Sequence, residues 1–172
     1  QGLAEARGGR RGPANVWGSA LTGTVIALVI GAGIGSPTLL LMGVAASFAA
    51  KLADPFGSAI GKRWGQTTVL ITSLRRVPAG TEGAVSLEGT LASAAGSLLM
   101  MLVMAGLSIL TSPTAMIVVA IVGLIATLLE SLLGALAQER VTWLTNEVVN
   151  GLQTAWAAVL AMLIAVPLGV AG

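Results

Sequence analysis

Three stretches of this chain contain no charged residue: Gly12–Ala50, Gly89–Leu129 and Val148–Gly172. Crossing the hydrocarbon core of a bilayer takes about 20 apolar residues in an α-helix. The third stretch is therefore one span, while the first and second are each too long for one. Charged residues make up 9% of the chain and its mean hydropathy is +0.92, against roughly 25% charged in a soluble domain. A soluble fold is excluded on those grounds, and the fold class is all-α: a polytopic transmembrane helical bundle.

Each of the two longer stretches is interrupted near its middle by turn residues. In the first the break is Gly31-Ala32-Gly33-Ile34-Gly35-Ser36-Pro37, where glycines weaken a helix and Pro37 suits the first turn of the next. In the second, Thr111-Ser112-Pro113-Thr114 acts likewise, with Ser112 a candidate N-cap. Five spans follow, at about 14–30, 37–53, 86–110, 113–138 and 146–166, in one membrane domain covering 1–172, with a polar loop at 62–83. Loops of that length are usually functional or disordered. No internal repeat or heptad pattern is evident. The chain starts at Gln1 rather than Met, and its polar Gly/Arg start lacks the apolar core of a signal peptide, so it reads as a fragment or a processed product.

Alternating five spans puts the N-terminus, the 62–83 loop and the connection near 139–145 on one side. All nine Lys and Arg fall on that side and none on the other. The positive-inside rule makes it cytoplasmic, or stromal in a plastid.

The chain has neither Cys nor His, which removes disulfides, zinc sites and Ser-His or Cys-His dyads. A bound metal would need oxygen ligands, favouring Mg²⁺. The pI near 9.9 reflects nine basic against seven acidic residues, and so few aromatics give little for base stacking, so no nucleic-acid partner is expected. Gly57-Ser58-Ala59-Ile60-Gly61-Lys62-Arg63 is one residue short of a P-loop, and Gly31-Ala32-Gly33-Ile34-Gly35 has the wrong spacing for a dinucleotide fingerprint.

Ionisable residues in or near membrane helices are costly and point to function by default. Asp54, Glu88, Glu130 and Glu147 meet that description. Glu130 lies eight residues before Gln138, about 12 Å inside the end of an α-helix that runs that far, and Glu130, Gly134 and Gln138 would share one stripe. Ser47, Lys51, Asp54 and Ser58 mark one face of the second span, provided that it stays helical past Pro55, which should kink or restart it with Asp54 as N-cap. Asn146, Glu147, Asn150 and Thr154 cluster on a face of the fifth. Carboxylates beside Lys62, Arg63, Arg75 and Arg76 supply the parts for Mg²⁺-assisted phosphoryl transfer, in which acids hold the metal and bases neutralise phosphate oxygens. The plainer alternative makes the acids interfacial residues and the bases topology anchors. Gly89, Ser93, Gly96 and Ser97 on the third span read as helix packing.

Gly43-Val44-Ala45-Ala46-Ser47-Phe48 through Lys51-Leu52-Ala53-Asp54, then Ile60-Gly61-Lys62 and the run from Val77 to Ala92, with Pro78-Ala79-Gly80-Thr81-Glu82-Gly83 and Ser86-Leu87-Glu88-Gly89-Thr90 at its heart, resemble the phytyl-phosphate kinase family of plants and cyanobacteria. Glu130-Ser131-Leu132-Leu133-Gly134-Ala135 and Trp143-Leu144-Thr145-Asn146-Glu147-Val148-Val149-Asn150 resemble its later motifs. The resemblance implies an integral membrane enzyme of a plastid or cyanobacterial membrane. It would phosphorylate phytyl phosphate, an isoprenyl monophosphate, to the diphosphate with CTP and Mg²⁺, in phytol salvage toward tocopherol. It also implies further hydrophobic sequence before Ala4.

On this reading Asp54, Glu88, Glu130, Asn146, Glu147 and Asn150 are the catalytic candidates. Lys62, Arg75, Arg76, Gly80, Thr81 and Glu82 are the nucleotide and phosphate candidates, and Asp54, Glu130 and Glu147 the metal candidates. Two departures stand out. The family usually has Asp-Thr and then a Glu a few residues on, where this chain has Asp54-Pro55-Phe56-Gly57-Ser58-Ala59. It also has Asn-Asp where this chain has Asn146-Glu147. Other classes remain open at this stage: a transporter or flippase of a phosphorylated lipid, which would use the intramembrane acids as a pathway, and a non-catalytic membrane subunit.

Overall fold

The computed structural model describes residues 12–138 and 141–170. It contains α1 (Pro13–Gly31), α2 (Pro37–Trp64), β1 (Thr68–Leu70), β2 (Ala84–Ser86), α3 (Leu87–Gly106), α4 (Pro113–Leu133) continued by a π-helical turn (Gly134–Gln138), and α5 (Asn146–Ala165). All five α-helices are long and apolar enough to cross a membrane, in agreement with the all-α bundle expected.

Local chemistry places the helix starts. Pro13, Pro37 and Pro113 each occupy the first turn of a helix, where a missing N–H costs nothing. Ser86 caps α3 by accepting from the Gly89 N–H at 3.1 Å, and the Thr145 hydroxyl accepts from the Val148 N–H at 3.5 Å at the start of α5. Ser112 holds the N-cap position of α4 as expected, though its side chain makes no capping bond.

Three boundaries differ from expectation. α2 continues through Pro55 to Trp64, so Pro55 neither restarts the helix nor makes Asp54 an N-cap. Membrane helices tolerate an internal proline when neighbours hold the helix in place, and here α3 does so. A methyl group on Gly57 would overlap Ser93, one on Gly61 would sit 3.3 Å from the Gly89 Cα, and one on Gly89 would sit 2.9 Å from the Gly57 carbonyl. The small residues expected to pack on the third span thus face a matching small-residue ridge on α2. α3 ends at Gly106 rather than near 110, because Ser108 takes a positive φ of 58° and turns the chain. Finally, α4 is α-helical only to Leu133, so the π turn breaks the stripe drawn from Glu130 through Gly134 to Gln138.

Within the polar loop, β1 pairs antiparallel with β2, Thr68 opposite Ser86 and Leu70 opposite Ala84. Arg76 bridges to Val69 on the other edge of β1. The loop is thereby folded back over the end of α2.

α2 is the central helix. Its Met42, Ala45, Ala46, Ala49 and Ala50 join Val118, Val119, Val122 and Ala126 of α4 and Ala157 and Ala161 of α5 in one buried core. Leu21 and Leu28 of α1, Leu102 of α3, Ile117 of α4 and Leu163 of α5 point outward and are exposed. Such apolar surface faces lipid in a membrane-spanning bundle. Trp17, Trp64 and Trp143 lie exposed where α1 begins, where α2 ends and just before α5, so three indoles mark one interface, where such residues are enriched. The Arg63 guanidinium lies 5.8 Å from the Trp64 ring centre. Every described Lys and Arg belongs to that half of the bundle; Arg7, Arg10, Arg11 and Arg140 fall outside the described residues.

Candidate active site

At the charged end, α2, α4 and α5 converge on a set of polar side chains. The Lys51 ammonium donates to Asn150 Oδ1 at 2.6 Å and to Asp54 Oδ2 at 3.3 Å. The Lys51–Asp54 pair is the only salt bridge among the described residues, and both side chains are largely buried. Asp54, Glu82 and Lys51 all lie close enough to Glu130 to interact with its carboxyl electrostatically. One acid of α2, one acid of the polar loop and one ammonium thus lie within electrostatic range of the Glu130 carboxyl of α4.

One layer deeper the polarity continues. Gln153 is fully buried on α5, roughly 10 Å along the helix from its start. Its amide donates to the Thr127 hydroxyl at 3.2 Å and to the Ala50 carbonyl at 3.3 Å. Thr127 in turn donates to the Gly123 carbonyl at 3.0 Å. Because a donor left unpaired in hydrocarbon would cost several kcal/mol, these bonds fix a polar floor beneath Lys51, in which Gln153 Oε1 is buried without a partner.

Above the carboxylates sits the loop 78–83. Gly83 has φ +73° and packs so closely on the π turn that a methyl group there would overlap Ala135. Gly80 has φ +94° and faces the Lys62 side chain. Glycine tolerates this left-handed backbone without the steric cost other residues meet. The Thr81 hydroxyl donates to the Pro78 carbonyl at 2.8 Å, which tightens the turn. Glu82 is carried between those two glycines toward Glu130.

The expected site residues therefore separate into groups. Asp54 and Asn150 come together through Lys51, Glu130 lies within electrostatic range of Asp54, Glu82 and Lys51, and the Lys62 side chain lies beside Gly80. Glu147 stands apart from Asp54 and Glu130: its Oε1 accepts from the Asn15 amide of α1 at 3.2 Å. Among the described residues no three carboxylates are arranged to hold a metal, so the expected set of Asp54, Glu130 and Glu147 is not assembled. Asn150 rather than Glu147 meets α2, while Glu147 and Thr154 meet α1; the Thr154 hydroxyl shares a 2.8 Å hydrogen bond with Thr22. Asn146 is exposed at the first position of α5. Glu88 lies at the start of α3, where Oε1 accepts from the Gln66 N–H at 3.3 Å and Oε2 is buried without a partner. Arg75 and Arg76 are exposed on the strand-edge turn.

Sequence reasoning marked the face that carries Lys51 but missed its pairing with Asn150, and it missed Asn15, Thr127 and Gln153 altogether. A polar residue every turn or so in an apolar span was the available signal, since such groups turn inward to find partners.

Residues 1–158 match the family described as Integral membrane protein DUF92. The chain belongs to this family. As a DUF92 protein it is 48% identical over 162 residues to a membrane protein of Synechocystis described as uncharacterized, covering 94% of this chain and 62% of that protein. It is 41% identical over 168 residues to Protein VTE6, chloroplastic, of Arabidopsis thaliana, covering 95% of this chain and 50% of that one. The chain thus spans roughly half to three fifths of the length of these two relatives. Their chloroplast and cyanobacterial origins agree with the plastid or cyanobacterial membrane expected for this chain. No solved structure matches it.

Proposed function

We propose that the chain is the catalytic part of a membrane-embedded kinase that converts an isoprenyl monophosphate, phytyl phosphate in the first instance, to the diphosphate at the expense of a nucleoside triphosphate, CTP by the family resemblance. The observation that supports this best is the convergence of Asp54, Glu130, Glu82 and Lys51 beneath a glycine-turned loop that lies against Lys62. Acids to position a cation, bases to neutralise phosphate oxygens and backbone able to approach a phosphate closely are what phosphoryl transfer requires of a protein.

Each residue has a task on this reading. Lys62 and the backbone of Gly80 and Thr81 hold the nucleotide phosphates, with Arg75 and Arg76 adding positive charge at the rim. The acceptor phosphate needs no strong general base, since its oxygens are already ionised near neutral pH, and the lack of His is no obstacle. An acceptor oxygen attacks the γ-phosphorus, the bond from that phosphorus to the β-phosphate oxygen breaks, and the nucleoside diphosphate leaves with the bonding pair. Lys51 and Asn150 keep the Asp54 carboxylate in place throughout.

The donor set suits Mg²⁺, because every available ligand is a hard oxygen. Mg²⁺ is commonly held by one or two carboxylates plus substrate phosphates rather than by an all-protein cage, so Asp54 and Glu130 suffice as its protein ligands. When bound, it would neutralise charge on the transferring phosphate. The location proposed is a plastid or cyanobacterial membrane, with the site at its stromal or cytoplasmic face.

Incubating the purified full-length protein with phytyl phosphate, Mg²⁺ and each labelled nucleoside triphosphate tests the reading. Labelled phytyl diphosphate is expected with at least one nucleotide. No diphosphate from any isoprenyl phosphate or nucleotide would overturn it.

A further inference from the structure

Between α1 and α2 an open groove of about 270 Å³ is lined by Asn15, Val16, Ser19, Ala20, Phe48 and Lys51. Its chemistry changes along its length. Val16, Ala20 and Phe48 make an apolar wall, and Val16 and Phe48 are exposed on the outer surface of the bundle. Asn15 stands at the charged end, in the first turn of α1. Lys51 forms one wall with its side chain only 14% exposed. A lysine ammonium has three donors, of which Asn150 and Asp54 take two. The Ser19 hydroxyl donates to the Asn15 carbonyl and the Asn15 amide to Glu147, so both side chains have fixed positions.

We infer that this groove is the binding site for the lipid substrate, a single-chain lipid monophosphate whose hydrocarbon lies along Val16, Ala20 and Phe48 and whose phosphate rests on Lys51. Charge complementarity favours an anionic headgroup, because Lys51 is the charged side chain that lines the groove and, although paired with Asp54, keeps a third N–H donor beyond its bonds to Asp54 and Asn150. The apolar wall beside it, open to the surrounding lipid, selects a hydrocarbon tail over a free anion. The inference rests on the reading of the chain as acting on a lipid phosphate, and it gives that substrate an entrance from the bilayer. Lys51 also touches Asp54, so a phosphate held there lies next to a carboxylate proposed to hold the cation, which the nucleotide approaches from the loop side.

The test needs no nucleotide and so does not depend on the kinase reading. A photoreactive residue replaces Val16, at the groove, or Leu163, which is 63% exposed like Val16 but lies on α5. Each variant of the full chain in nanodiscs is labelled with radioactive phytyl monophosphate. Labelling at position 16 is expected to exceed that at 163 by about tenfold or more. Unlabelled phytyl monophosphate should compete, while phytol, inorganic phosphate and two-chain phosphatidic acid should compete poorly. Lys51→Met should reduce the labelling at position 16 by about tenfold or more. Ala20→Trp, which fills the groove from α1 and leaves Lys51, Asp54 and Asn150 unsubstituted, should reduce it as well, so a folding defect in the lysine variant does not decide the result. Equal labelling at both positions, competition by phytol equal to that by the monophosphate, or full labelling in a folded Lys51→Met protein would each overturn the inference. Specific labelling without diphosphate formation on adding nucleotide would leave the groove assigned and reject the kinase.

Discussion

Lys51 and Asn150, 99 positions apart in the chain, are joined by a 2.6 Å hydrogen bond that ties the middle of α2 to the first turns of α5. The ammonium also carries the Asp54 contact, so one side chain fixes both the packing of two helices and the orientation of a candidate catalytic acid.

Asn150→Leu removes the acceptor while leaving the lysine in place. Hydrogen bonds to charged groups contribute about 1.5–3 kcal/mol, and the partner left behind is penalised further. The variant is expected to unfold at lower temperature or lower denaturant concentration in detergent. Adding Lys51→Met to it should recover part of the loss, because the unpaired charge goes too. Additive losses in the double variant would show that the two residues are not coupled.

Gly83→Ala should disable the loop above the carboxylates. The alanine would meet Ala135 and would also have to adopt φ +73°, a left-handed conformation that costs roughly 1–2 kcal/mol for a residue with a side chain. Weaker nucleotide binding and faster hydrogen exchange over 78–83 are the expected readouts. Ala135→Gly in the same protein should restore little of the binding, since it removes only the methyl contact and leaves the Ala135 Cα and N at 2.7 and 2.8 Å from the added methyl group.

The seam between α2 and α3 should be intolerant of added volume. Gly57→Val places a branched side chain against Ser93 and the Gly89 carbonyl, and overpacking of this kind costs about 1–3 kcal/mol. A clear loss of thermal stability is expected, whereas Leu163→Val, at an exposed outward position on α5, should leave the unfolding midpoint nearly unchanged.

These contrasts show what the sequence reveals and what it hides. The uncharged runs and the prolines at 37 and 113 mark the helices, because hydrophobic length and a missing N–H are local properties. The continuation of α2 through Pro55 is invisible locally: it depends on Gly57 and Gly61 meeting Gly89 and Ser93 of another helix. The same holds for the site. Asp54 and Glu130 are conspicuous as acids in apolar surroundings, but that Asn150 rather than Glu147 reaches Lys51 depends on the rotation of α5. The π turn at Gly134–Gln138, which ends the expected stripe from Glu130, coincides with the packing of Gly83 on Ala135, a contact between segments far apart in sequence.

The resemblance noted in the sequence implies a carboxylate a few residues beyond Asp54, in the stretch where this chain has Ala59, on the exposed side of α2. Ala59→Glu is expected to lower the Mg²⁺ concentration needed for half-maximal activity, by about tenfold if the new carboxylate joins the site as one additional charged ligand. An unchanged Mg²⁺ dependence would show that position 59 is outside the metal's reach.

The proposed phosphoryl transfer depends most directly on Asp54 and Glu130. The decisive measurement is the single-turnover rate of labelled phosphate transfer from CTP to phytyl phosphate by the full-length protein, beside Asp54→Asn and Glu130→Gln variants shown to be folded by their unfolding midpoints. Loss of a charged group that stabilises the transferring phosphate should slow the reaction by about a hundredfold or more in each variant. Transfer at the unsubstituted rate in a folded Glu130→Gln or Asp54→Asn protein would contradict it.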